Sequence, residues 1–378
     1  LYLQDLGADI TQIGLYFTLA QIIPLALQIL GGWISDSIGR LRAIAFGSIG
    51  GLFGYAVLIL APTWQWLLLG QAFGAVGGSL VAPSFDAFIA ENSSEANRAR
   101  VFGISSALFM VVGVIGPVLG GYLADTIGFK LMISIAAVMY LAATLLRIGM
   151  ARRVKPGHPT QKLTLQSLKT NLGTMFGMIV AGGVITWILI TDGVRDISFA
   201  LSMNLFPIYM EQIGGLTLRQ IGLMSSVFGL FMMLSTIPGG WLTDKLGERV
   251  GIVISFIFLG LALLMLVYAP SQSLLLYSSG WALAGVGVGL AQPAYQSLIS
   301  KAVPQRVRGT AFGLFSTSLG LVSLPAPWIG GQLWQRFSPR LPFIITAIVS
   351  FISIFPVWLK FKLPKETPSG EIGQELPK

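Results

Sequence analysis

The chain has 378 residues, of which 54% are hydrophobic and 10% charged, with no cysteine and a formal net charge of +9. A soluble domain carries about 25% charged residues, so this composition excludes an ordinary water-soluble globule; the missing cysteines exclude disulfides, thiol chemistry and cysteine metal sites. The basic residues gather in particular loops, which reads as membrane orientation and not as a nucleic-acid surface.

Apolar stretches of about 20 residues recur along the chain, long enough as helices to cross roughly 30 Å of hydrocarbon. They must be helices, because lipid offers the backbone no hydrogen-bond partner. Eleven spans are predicted, at 14–34, 43–61, 65–89, 101–123, 130–151, 185–209, 219–242, 249–268, 273–299, 309–333 and 340–359. The segment Leu1–Ala8 is similar to Ile208–Gly215, which closes the sixth of these spans. The chain is therefore expected to begin at the end of its own first helix, as a fragment of a twelve-helix protein.

Alternate loops differ in Lys and Arg. One side collects Arg40, Arg42, Arg98, Arg100, Arg152, Arg153, Lys155, Lys245, Arg249, Lys301, Arg306 and Arg308; the other holds Lys130, Arg219, Arg336 and Arg340. The first side is expected to be cytoplasmic. The chain divides into an N-terminal bundle (1–151), a basic linker (152–172), a C-terminal bundle (173–360) and a tail (361–378), with linker and tail on the cytoplasmic side. In the linker, Pro156 and Pro159 break helix, and Leu165, Leu168 and Leu172 then predict a short amphipathic helix on the inner leaflet. Its single histidine, His158, reads as a solvated linker residue.

The chain also repeats itself. Gly31-Gly32-Trp33-Ile34-Ser35-Asp36 returns as Gly239-Gly240-Trp241-Leu242-Thr243-Asp244, and Gln12-Ile13-Gly14-Leu15 as Gln220-Ile221-Gly222-Leu223, both at an offset of 208. After a two-residue slip, Pro83 maps to Pro293 and Arg98 to Arg308, at an offset of 210. A repeat of this size in an apolar chain predicts an all-α membrane protein of two pseudo-symmetric six-helix bundles with a site between them.

The pattern Gly32-x-x-x-Asp36-x-x-Gly39-Arg40-x-Arg42, with its copy Gly240-x-x-x-Asp244-x-x-Gly247-Glu248-Arg249, resembles the loop signature of the major facilitator superfamily. The resemblance covers essentially the whole chain and implies a secondary transporter that works by alternating access. It further implies that Asp36, Arg40 and Arg42 form a latch on the cytoplasmic side with Glu91 as acid partner; Glu91 also reads as a solvated loop charge. Gly116-Pro117-Val118-Leu119-Gly120-Gly121 resembles the kink motif of the proton-coupled drug exporters of that family, although position 112 is Val where their preceding glycine stands. Pro117 is expected to kink its helix. Packing alone also accounts for this motif. The arginine that many such exporters carry in the fourth helix is absent; Gly70 stands there, beside Gln71.

An ionisable residue inside a span costs about 2.5–3.5 kcal/mol and marks function by default. Asp192, Arg195 and Asp196 share one helical face by their spacing. Two carboxylates this close cannot both ionise cheaply, and Arg195 offsets their repulsion. Such a cluster is a candidate for carrying the coupling proton; a structural gate is the other reading. Asp86 is a weaker candidate. Polar and aromatic residues in span interiors, namely Gln21, Gln28, Phe73, Asn204, Trp281, Gln292, Tyr295 and Gln296, are candidates for lining the substrate cavity.

The sequence thus predicts a multi-pass protein of a bacterial-type inner membrane, a monomer in the lipid bilayer, exporting hydrophobic or amphipathic small molecules in exchange for H+. An uptake symporter for a sugar or other metabolite, and a lipid scramblase, are the alternatives. No metal, cofactor or nucleic-acid partner is expected, and no HExxH, nucleophile motif or GxxxxGK[ST] is present to indicate an enzyme or ATP-driven pump.

Overall fold

The computed structural model describes residues 1–94, 97–153, 184–302 and 320–361, with the side chains of 28–38, 98–99, 153, 184–185 and 302 outside the described set. Its helices are α1 (Tyr2–Asp5), α2 (Ile10–Ile38), α3 (Arg40–Leu60), α4 (Trp66–Asn92), α5 (Arg98–Arg153), α6 (Val184–Ser202), α7 (Phe206–Gln212), α8 (Leu218–Leu246), α9 (Glu248–Tyr268), α10 (Leu274–Ala302), α11 (Ala326–Arg336), α12 (Leu341–Ile352) and α13 (Ile354–Lys360). Among the described residues, eight helical stretches are long and apolar enough to cross a membrane. The 56-residue α5 would run ~84 Å as one rod, far more than one crossing needs. It folds at Gly128 (φ 80°, ψ 164°) into two spans. A short 3₁₀ turn at Met203–Leu205 joins α6 to α7 in another. Each of the eleven predicted spans meets a helix, α11 covering the end of 309–333. The predicted linker helix and the tail lie outside the described residues.

The internal repeat is visible in the helix ends. Helix α2 maps onto α8, and α3 onto α9, at an offset of 208 at both ends; α4 maps onto α10 at 208 at its start and 210 at its finish. The two extra residues are therefore absorbed inside α10. The start signals repeat as well. Asp9 accepts from the Gln12 amide at 2.8 Å while the Gln12 side chain accepts from the Asp9 amide at 3.0 Å. Thr217 and Gln220 make the same reciprocal pair ahead of α8. This capping box satisfies backbone donors that a helix start otherwise leaves open. At the other ends, Gly39 (φ 90°) and Gly247 (φ 86°) turn the chain from α2 into α3 and from α8 into α9. An L side chain rarely adopts that backbone conformation, so glycine is required.

The two repeats meet along α2 with α11 and along α5 with α8. A Cβ at Gly121 would lie 2.6 Å from the Leu218 carbonyl oxygen and 2.9 Å from Gly222 Cα, and one at Gly222 would collide with the Pro117 carbonyl. Along the other seam, Trp328 donates its amide to Thr18 Oγ1 at 3.2 Å, and Thr11 bonds Gln335. These contacts lie toward the membrane face opposite the basic loops. The Gly-Pro motif thus faces the other repeat through Pro117 and Gly121, whereas Cβ positions at Gly116 and Gly120 meet open space or only the Met132 sulfur at 3.8 Å. Pro117 is not where α5 breaks. The helix continues through it, and its non-helical residue is Gly128.

Replacing Gly222 by Leu should force this seam apart. Overpacking costs about 1–3 kcal/mol, enough to shift a two-state balance on the order of tenfold. The natural chain lacks cysteine, so a Thr11→Cys reporter can be read cleanly with a membrane-impermeant maleimide. Labelling at least several-fold faster in the Gly222→Leu background is expected; equal rates would show that the seam does not govern access.

Candidate functional site

Helix α6 carries the ionisable cluster. Its apolar face packs Ile188 against Ile252 and Phe256 of α9 and Ala294 and Leu298 of α10. That packing fixes the rotation of α6 and turns Asp192, Arg195 and Asp196 toward α10. Arg195 Nη2 stands 3.1 Å from Asp196 Oδ1 and 3.5 Å from Asp192 Oδ1. Its guanidinium carbon also lies 5.2 Å from the ring centre of Tyr295 and 5.6 Å from that of Phe256. Cation–π attraction and two carboxylates therefore hold one charge from several sides.

The two acids differ. Asp192 is buried at 4% exposure, whereas the Asp196 side chain is one-third exposed. Asp192 Oδ1 has the long ion contact with Arg195 and faces the Tyr295 hydroxyl, but makes no hydrogen bond of good geometry, and the buried Thr191 Oγ1 makes none either. Unsatisfied buried polar atoms are costly and concentrate where a group is kept ready to bind. Phe256 stands eight residues into α9 from the basic face, so the cluster sits about 12 Å deep by helical rise.

Asp192, Arg195 and Asp196 line a cavity of ≈ 660 Å³ together with Gln292, Tyr295 and Gln296 of α10. Two sets of residues that the sequence offered separately, one for protons and one for substrate, thus share one wall. Phe199 and Met232 complete its apolar side and were not anticipated; their signal is only their phase on α6 and α8. Described lining comes from the second repeat alone.

Other candidates fall elsewhere. Trp281 is buried, donates its indole N–H toward the Met210 sulfur at 3.1 Å, and packs edge-on against Phe206 and Phe228. It borders a separate apolar pocket and is excluded from the polar cavity, because its ring is held by the aromatic core near the opposite face. Phe73 packs on Phe53 within the first repeat, with ring centres 6.0 Å apart. Asn204 sits in the 3₁₀ turn, and neither it nor Gln21 lines the cavity. The side chains of Gln28 and Asp36 lie outside the described set, as does the burial of Gly32.

At the basic face, Arg40 Nε lies 2.9 Å from Glu91 Oε1, joining the start of α3 to the end of α4. The second repeat holds the matching pair with its charges exchanged: Glu248 Oε1 is 2.6 Å from Lys301 Nζ and accepts from Ser297 Oγ at 2.8 Å. Arg40 and Glu248 are related by 208, Glu91 and Lys301 by 210. Among the described residues Arg249 pairs with no acid; it donates to the Trp358 carbonyl at 3.1 Å and stacks on that ring. Asp244 and Arg42 are exposed, and a Cβ at Gly240 would meet nothing. Sequence reasoning passed over Arg147, which lies inside a predicted span, donates to Ser48 Oγ at 2.8 Å and approaches the Tyr140 ring.

A family model described as Major Facilitator Superfamily matches residues 1–191 and 188–377, one match on each repeat. Similar curated proteins include Multidrug resistance protein MdtG of Dickeya zeae, 26% identical over 358 residues that cover 92% of this chain and 84% of that protein. Another is the Multi-drug resistance efflux pump PmrA homolog of Lactococcus lactis subsp. lactis, 27% identical over 379 residues, covering 96% and 89%. Among solved structures, a peptide transporter POT in complex with sulfate has the same fold, with TM-score 0.73, 14% identity, and coverage of 93% of this chain and 86% of that one.

The exchanged charge pair can be tested by swapping it. Glu248→Lys should lower the melting temperature by placing two cations together. Adding Lys301→Glu should recover more than half of the loss, a coupling of about 1 kcal/mol in a double-mutant cycle. Additive effects of the two substitutions would mean that the pair contributes nothing as a pair.

Proposed function

Because the chain belongs to the Major Facilitator Superfamily, and so is a multi-pass membrane transporter of small molecules and not an enzyme, we propose that it exports hydrophobic or amphipathic compounds in exchange for protons. The observation that carries this reading is the Asp192–Arg195–Asp196 cluster on the wall of a cavity that also presents Phe199, Met232 and Tyr295. The names of its relatives MdtG and the PmrA homolog, a multidrug resistance protein and an efflux pump, favour export. So does the way the Gly-Pro segment of α5 meets α8 of the other repeat.

In this reading the basic face is cytoplasmic, the membrane is a bacterial inner membrane, and the protein works as a monomer. The described state is closed on the outer side. Substrate enters the cavity from the cytoplasm, its apolar body against Phe199 and Met232 and its polar edge toward Gln292 and Gln296. Asp192 takes up a proton when the cavity faces outward and releases it when the cavity faces inward. Arg195 lies 3.5 Å from Asp192 and 3.1 Å from Asp196. When one acid is protonated, Arg195 is drawn to the other, so proton occupancy changes which contacts α6 makes with α10. A ligand shifts a conformational balance only through such differential contacts. The pair Arg40–Glu91, with Asp36 and Arg42, serves as the latch that holds the cytoplasmic ends of α3 and α4 in register.

Transport against an imposed pH gradient in proteoliposomes tests the coupling role. Asp192→Asn with Asp196→Asn should abolish proton-driven accumulation while sparing substrate exchange, which needs no net proton movement. Full accumulation by the double variant would remove the cluster from coupling. Attention would then pass to Asp86, exposed on α4 at the position that Gln296 holds in the second repeat.

A further inference from the structure

A second cavity, of ≈ 650 Å³, opens between α3 and the last turns of α5, far in sequence from the ion cluster. Arg42 and Arg152 flank its mouth at the basic face; Phe46, Ile49 and Ile148 form its deeper walls. Both arginines are exposed, and no carboxylate among the described residues pairs with either. Arg147, one turn deeper, is turned aside to Ser48 and takes no part in the mouth. From Arg42 to Ile49 the cleft descends about 10 Å along α3 by helical rise, roughly a third of the hydrocarbon thickness.

From this arrangement we propose that the cleft binds one anionic phospholipid, with its phosphate between Arg42 and Arg152 and the upper part of an acyl chain against Phe46, Ile49 and Ile148. Guanidinium forks match phosphate oxygens and form charge-assisted hydrogen bonds. Unpaired arginines at headgroup depth attract anionic lipid, whereas the apolar wall below them offers nothing to a soluble anion. A neutral lipid would fill the wall and leave both charges without a counter-ion. Arg42 follows Arg40 by two residues, so the occupant would press on the same end of α3 that Glu91 holds.

The test is native mass spectrometry of the full chain, titrated with phosphatidylglycerol or with phosphatidylcholine of equal chain length. One phosphatidylglycerol adduct should form well before any phosphatidylcholine adduct. Arg42→Ala and Arg152→Ala should each weaken it by about fivefold, at the usual contribution of one basic residue at a membrane surface. The Lys versions should retain most of the binding, which separates lost charge from misfolding, and Arg249→Ala on the same face should leave it unchanged. Addition of millimolar inorganic phosphate should not displace the lipid. Equal affinity for the two lipids, unchanged binding in the double alanine variant, or full displacement by phosphate would each overturn the proposal.

Discussion

The approach of α5 to α8 is the constraint on which the rest of the arrangement depends. Two backbones come together at Gly121 and Gly222 so closely that a single methyl group on either would meet main-chain atoms of the other. In lipid there is no hydrophobic gain from burying one apolar helix against another, so close packing of this kind is what joins the two repeats. The contact lies toward the face opposite the basic loops, whereas the described lining of the polar cavity comes from the second repeat alone.

That geometry gives the ion cluster its meaning. A charge triad in the middle of a bundle needs a dense set of partners, and Arg195 finds two carboxylates and two aromatic rings. Asp192 does not find enough. Its Oδ1 and the Tyr295 hydroxyl face each other without a hydrogen bond of good geometry, which leaves α6 and α10 with poorly satisfied polar atoms at their point of contact. The mismatch is local, since the neighbouring Ile188, Phe256 and Ala294 are completely buried. A rigid apolar floor thus carries an incompletely satisfied polar surface, an arrangement suited to groups that change partners.

Much of the fold was legible in the sequence because the repeat gives two independent readings of every boundary. Offsets of 208 and 210, taken from isolated matches such as Gln12 with Gln220 and Pro83 with Pro293, reappear as the start and finish of matching helices. The capping boxes at Asp9 and Thr217 were equally available and went unused. Side-chain direction was less legible. Trp281 and Tyr295 are both aromatic residues inside one helix, and periodicity cannot say which of them meets an aromatic core and which meets a cavity. Arg147 was missed because it stands near a span end, where arginine is commonly taken to reach for the headgroups. The Glu248–Lys301 pair follows from Arg40 and Glu91 by the two offsets, but its exchanged signs hide it from a comparison of like residues.

That reversal has a consequence for each half taken alone. Copying either half's residue into the other would set two like charges inside one pair. Here the equivalent points carry Arg40 and Glu248 at the heads of α3 and α9, and Glu91 and Lys301 at the ends of α4 and α10. At these two positions the repeat keeps its shape and exchanges its charges, whereas Asp36 with Asp244 and Arg98 with Arg308 keep theirs. Each half therefore closes its own ion pair, and neither half's charge could serve in the other's place.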